Sequence, residues 1–164
     1  MNIQELRRVI MVDKNVGESR IRRPAQYDSM LDDLKEKGVF GKLTNALVFA
    51  ACLGYRRSNP KDIGAAGEPV RLSLFSDRYD EAVINSLAIL AKNGDPLMLA
   101  KENEDERIAI FERYACGGLE ILAREIWEPK LEWEKAIVGI ILDEFEQVDS
   151  LTNLTEELSG LSNL

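Results

Sequence analysis

The 164 residues include no histidine and only two cysteines, Cys52 and Cys116. Histidine is the side chain that ordinarily moves protons near neutral pH, so its absence removes Ser-His and Cys-His dyads and every His-containing metal site. Both cysteines fall inside apolar, helix-like stretches, the usual place of reduced structural thiols, and their spacing fits neither a disulfide framework nor a zinc motif. No Walker loop and no Gly-rich dinucleotide fingerprint occurs. No run of eighteen apolar residues exists, and residues 1–12 lack the pattern of a cleaved signal, so no membrane partner and a cytoplasmic location are expected. The acidic run Glu102, Glu104, Asp105 and Glu106 suits a helix N-terminus on dipole grounds better than a hard-cation site. The expectation is a protein that is no enzyme and takes neither cofactor nor metal.

What is present is a sizeable apolar fraction, 45%, enough for a single domain over residues 1–164 to bury a real core. The charge is unevenly spread. Residues 1–60 carry eleven Lys/Arg against seven Asp/Glu, whereas residues 61–164 carry ten against twenty-two, so a balance of +4 faces one of −12. A nucleic-acid contact would therefore be confined to the N-terminal part, while the plainer reading is of two solvated faces.

That part centres on residues 20–57, which read as strand, helix, helix. Arg20-Ile21-Arg22-Arg23 is short and extended, and Pro24 suits the first turn of a helix carrying Tyr27, Met30, Leu31 and Leu34. Gly38 is the expected C′ residue of that helix. The next helix, apolar nearly all round through Leu43, Ala46, Leu47, Ala50 and Leu53, is expected to close at Gly54. Lys42, Thr44 and Asn45 lie at its N-terminus, where free N–H groups and the helix dipole favour an anion such as phosphate. Arg20, Arg22, Arg23, Lys42, Thr44, Asn45, Arg56 and Arg57 are the candidate nucleic-acid-binding residues.

Outside this module, residues 1–13 suggest a short helix or an arm, and residues 15–19 a loop. Residues 56–67 form a long connection. Residues 68–75 alternate Val70, Leu72 and Leu74 with polar residues, the period of one additional short strand. A helix capped by Ser76 or Asp77 then runs to a turn at Asn93-Gly94-Asp95-Pro96. Asn103 and Glu106 have capping-box spacing ahead of a long helix through Ile126. Gly117 and Gly118 inside it cost about 1 kcal/mol each against Ala, which points to close approach of another backbone rather than a kink. Pro129 precedes a last helix with Leu131, Trp133, Ile137, Val138, Ile141, Leu142 and Phe145. The fold class is therefore mainly α, with a helical body over 68–146 and an acidic, Leu-containing tail over 147–164 that is weakly helical alone and suited to docking on a partner.

Leu47-Val48-Phe49-Ala50-Ala51-Cys52-Leu53-Gly54-Tyr55, Asp105-Glu106-Arg107-Ile108-Ala109-Ile110-Phe111-Glu112 and Tyr114-Ala115-Cys116-Gly117-Gly118-Leu119-Glu120 together resemble the Dnd system-associated protein 4 family across residues 20 to 125. The resemblance implies a setting, bacterial DNA phosphorothioation (sulfur modification) with its restriction partners and phage defence, and no reaction. It carries over no catalytic residue. The strand, helix, helix order is also similar to a ribbon-helix-helix unit, in which paired strands of two chains enter the major groove and the second helix aims its N-terminus at phosphate. That likeness implies a homo-oligomer on double-stranded DNA with Arg20, Arg22 and Arg23 on the ribbon. Two functions stay open: an accessory or regulatory protein that contacts DNA through its basic module, and an assembly subunit that binds other Dnd-system proteins without touching DNA.

Overall fold

A computed structural model describes residues 18–161, with side chains through Val148. The arm expected for residues 1–13 and most of the loop at 15–19 lie outside the described residues. Among the described residues, five α-helices and a two-stranded sheet make a mainly α fold. The order is β1 (Arg20–Ile21), α1 (Asp28–Glu36), α2 (Leu43–Arg56), β2 (Val70–Arg71), α3 (Asp80–Ala91), α4 (Glu104–Leu122) and α5 (Trp133–Leu161).

The fold is built on α2 against α4, which are joined at unusually short range. An added Cβ on Gly54 would lie 2.1 Å from the Tyr114 carbonyl oxygen, and one on Gly118 would lie 1.7 Å from that of Ala50. Glycine is therefore required by backbone contact at both places. Gly54 does not close α2, as the sequence suggested; the helix runs on to Arg56, and Ser58 takes the left-handed C′ conformation at φ 50°. There the Asn59 N–H donates to Gly54 O and the Ser58 N–H to Tyr55 O, a Schellman ending made without glycine. Gly38, at φ 68°, ends α1 in the same way.

The other departures from expectation are local. Pro24 is extended and begins a 3₁₀ turn over Ala25–Tyr27, so α1 starts at Asp28. The strand expected over 68–75 shrinks to Val70–Arg71, because Leu72–Leu74 coil into a 3₁₀ turn that delivers Phe75 edge-on to Phe111, with ring centroids 5.6 Å apart. α3 begins at Asp80 rather than after Ser76 or Asp77. The Asn103 side chain donates to Leu97 O instead of forming a capping box. α4 passes straight through Gly117 and Gly118 and ends in a π-type turn at Ala123–Trp127.

β1 finds its antiparallel partner in β2 of its own chain, with Arg20 opposite Arg71 and Ile21 opposite Val70. In a ribbon-helix-helix dimer that place belongs to the first strand of a second chain, so the likeness does not extend to the pairing seen here. Ile21 is fully buried and anchors this small sheet in the core beside Leu34, Leu47, Phe111, Leu119 and Leu122. α5 docks through Trp133, Ile137 and Ile140 and continues without a break across residue 147 to Leu161.

Candidate functional site

The basic side chains singled out in the sequence do not converge on one open surface. Glu112, on α4 and only 2% exposed, accepts from the Arg22 backbone N–H at 2.6 Å and from Arg22 Nε and an Nη at 2.9 and 2.6 Å. A buried carboxylate must be paired, and Arg22 does this by latching β1 onto α4. The latch raises the Arg22 pKa, first through the side-chain hydrogen bond to Glu112 and then through its charge. Arg23 donates to Glu68 O at 3.0 Å and pairs with Asp28 at 3.3 Å.

At the N-terminus of α2 the expected anion is supplied internally. Lys42 pairs with Asp77, and Asn45 Nδ2 donates to the other Asp77 oxygen at 2.8 Å. Hydrogen bonds from Lys42 and then Asn45 hold the Asp77 carboxyl below the usual range. Asp77 thus serves α2 rather than capping α3. Thr44 is buried, its hydroxyl without a hydrogen-bond partner among the described residues. At the other end of α2, Arg56 Nε meets Glu144 Oε2 at 2.9 Å, and Arg57 reaches Glu144 Oε1 and, at 3.3 Å, Glu125. Desolvation pushes Glu144 upward, but the hydrogen bonds from Arg57 and Arg56 outweigh it and leave its pKa lowered. Of the eight candidates, Arg20 alone is an exposed cation with no ion pair among the described residues.

Gly117 and Gly118 lie where α4 meets α2 and the residues that follow it. A Cβ on Gly117 would fall 1.5 Å from Asn59 O. Asn59 Nδ2 in turn donates to Gly117 O at 2.9 Å and Glu120 Oε2 at 3.0 Å. Cys116 is a buried free thiol whose pKa burial pushes up, which disfavours the nucleophilic thiolate, and Cys52 is a free thiol at an exposed position of α2. No cluster of three or more His, Cys, Asp or Glu suited to a metal occurs among the described residues, and no helix there is long and apolar enough to cross a membrane.

The feature that sequence reading missed is on α5. Val138, Ile141, Leu142, Phe145 and Val148 are all exposed, Leu142 by 56% and Phe145 by 66%. On an ideal helix they are centred roughly 100° round from the docked stripe of Trp133, Ile137, Ile140 and Glu144. The signal was there: the apolar positions of this helix span too wide an arc for one buried stripe. At the foot of α5, Trp127 and Trp133 stack with centroids 6.3 Å apart beside an open groove of about 770 Å³. Trp133 Nε1 donates to Asp33 in α1 at 2.7 Å, tying the helix to the body.

A protein-family model described as DNA sulphur modification system-associated protein 4 matches residues 20–159. No curated protein and no solved structure matches the chain.

Proposed function

We propose a role from one premise: the chain belongs to the DNA sulphur modification system-associated protein 4 family, by a match that takes in β1 and nearly all of α5. Within such a system it acts as a non-catalytic accessory subunit that binds other proteins of the system. The carrying observation is the exposed face of Val138, Ile141, Leu142, Phe145 and Val148, on a helix whose neighbouring face is already docked. Apolar surface costs about 25 cal/mol per Å² to leave in water, and a contiguous exposed patch of this kind marks a protein–protein contact. The pairing of Arg22, Arg23, Lys42, Arg56 and Arg57 with acids of the same chain supports the same reading.

Co-expression with the proteins of the modification system, followed by gel filtration, tests it. A complex is expected, and Leu142→Ser with Phe145→Ser should release the chain while moving its own stability by no more than about 0.5 kcal/mol per change. A complex indifferent to both changes removes this reading.

A second reading, DNA contact through the N-terminal module, is favoured by one observation. Arg20 is an exposed cation with no ion pair among the described residues, opposite Arg71, which is joined to Glu18 at 3.6 Å, and a phosphate could take the place of the missing acid at Arg20. Changing Arg20 to Gln should then lower the slope of log affinity against log salt by about one. Failure of the unchanged protein to bind duplex DNA at low salt ends that reading. Cleavage of plain or sulfur-modified DNA by the pure protein would end the non-catalytic one.

A further inference from the structure

We propose that Arg56 and Arg57 form a receptor for a small phosphate-bearing anion, that Glu144 occupies it from within the chain, and that an anion taking its place loosens α5. Neither a partner protein nor DNA is needed for this, so it goes beyond both readings of function. The two arginines are successive residues at the C-terminal end of α2, and both guanidiniums turn to one carboxylate. Arg56 donates through Nε to Glu144 Oε2 at 2.9 Å and through Nη2 to the Glu144 backbone oxygen at 3.2 Å, while Arg57 donates through Nε to Oε1. Arg57 also reaches Glu125 at 3.3 Å, which Arg124 holds at 2.9 Å. Three guanidiniums thus share two carboxylates by direct contact, and Asp143 acts on Arg57 through its charge. A carboxylate offers such a pair of arginines one charge and two oxygens. A phosphate group offers a charge of about −1.5 to −2 at neutral pH and three acceptor oxygens, and the guanidinium fork matches it bidentately. The receptor is reachable, since the Arg56 side chain is 41% exposed. Charge limits the size of the ligand: a chain of net charge −8 repels a duplex with many phosphates far more than one small anion. Among the described side chains of α5, Trp133, Ile137 and Ile140 are buried and none beyond Ile140 is, so the clasp on Glu144 stands outside the apolar seat of the helix. Ile141, Leu142 and Phe145, exposed close to Glu144 along the chain, move with it. An occupied receptor therefore changes how that apolar stretch is presented.

The experiment titrates the full chain with inorganic phosphate at an ionic strength held constant with potassium chloride. Phosphorus NMR reads binding, and hydrogen exchange followed by mass spectrometry over residues 141–148 reads the release. Tethering gives Glu144 an effective concentration on the order of millimolar, so phosphate should bind in that range. Glu144→Gln removes the competitor and should tighten phosphate at least about threefold. Asp143→Asn, the same charge change one residue away, should not. Arg56→Gln with Arg57→Gln should abolish binding. In the unchanged protein, phosphate should speed exchange over residues 141–148 at least about twofold beyond chloride at equal ionic strength, where screening is the same. That comparison needs no variant. In the protein lacking both arginines, phosphate should add nothing to the exchange. Equal phosphate affinity with and without Glu144→Gln, an equal gain from Asp143→Asn, or binding that survives loss of both arginines would overturn the receptor. Bound phosphate that leaves the exchange unchanged would overturn the release. Loosening by duplex DNA but not by phosphate would overturn the small ligand.

Discussion

Replacing Gly118 with Ala puts a single methyl group where α2 and α4 touch. Its Cβ would stand 1.7 Å from Ala50 O, 2.4 Å from Ala50 C and 2.8 Å from Ala50 Cα, against an ordinary contact of 3.4 Å or more. All three neighbours are backbone, so no rotamer change relieves the clash, and the helices must part by well over 1 Å at that point. A gap of 0.5–1 Å already forfeits about a quarter to a half of each dispersion contact, and the contacts at stake include those of the buried Leu47, Ala50, Leu119 and Leu122. Overpacking of this kind costs about 3 kcal/mol, and the better helix propensity of Ala returns about 1 kcal/mol. The net loss of about 2 kcal/mol should lower the melting temperature by roughly 4–8 °C for a chain of this size. Gly139 on α5 is the matched control, since a Cβ there meets nothing within 4 Å. Gly139→Ala should raise stability by up to about 1 kcal/mol through propensity alone. Thermal melts by circular dichroism, with urea midpoints, compare the two. An unchanged or raised melting temperature for Gly118→Ala would refute the close contact as the reason for the glycine.

Glu112→Ala should shift the urea midpoint by an amount equivalent to about 2 kcal/mol, since it strands the Arg22 N–H; Arg22 is 59% exposed, so the full value of a buried pair does not apply. A loss under about 0.5 kcal/mol would mean that β1 is held by Ile21 alone. Glu144 has a folded pKa below its unfolded value, so its contribution is present above the ordinary Glu pKa near 4.3 and is lost as the pH falls through the folded value. Tryptophan emission from Trp127 and Trp133 should therefore report α5 loosening in that acid window, and Arg56→Gln with Arg57→Gln should remove that step. Identical acid profiles with and without the two arginines would refute the link.

The helices were legible because period 3.6 is a strong signal and the apolar stripes of α2 and α4 are long. Glycine was where local reading divided. Gly38 and Gly54 both follow an apolar helical run, yet one ends its helix at positive φ and the other lies within it because Tyr114 O comes close; only the partner helix separates the two cases. Ser58 ends α2 without a glycine at all, so no breaker residue marked the true end. In α5 both apolar stripes were visible as residues, but which one met the body depended on Trp133 reaching Asp33 and on the arginines gripping Glu144. Those partners are 100 and more than 80 residues distant, beyond any local pattern.

The charge asymmetry that first suggested a nucleic-acid partner has an internal answer. Arg22 reaches Glu112, Lys42 reaches Asp77, Arg56 and Arg57 reach Glu144, and Lys61 reaches Glu120, each pair joining the basic part, or the segment after it, to the acidic body. The pairs exposed on both sides, Lys42 with Asp77 and Lys61 with Glu120, contribute only about 0–1 kcal/mol each, so a strong anionic ligand could displace them. It would do so against a net charge of −8, whose long-range field repels DNA at low salt, where phosphate contacts are otherwise strongest. Neutralising the basic module leaves the surplus acid to the rest of the chain, whose residues 141–164 contain no Lys or Arg of their own and whose Glu144 is paired to Arg56 and Arg57.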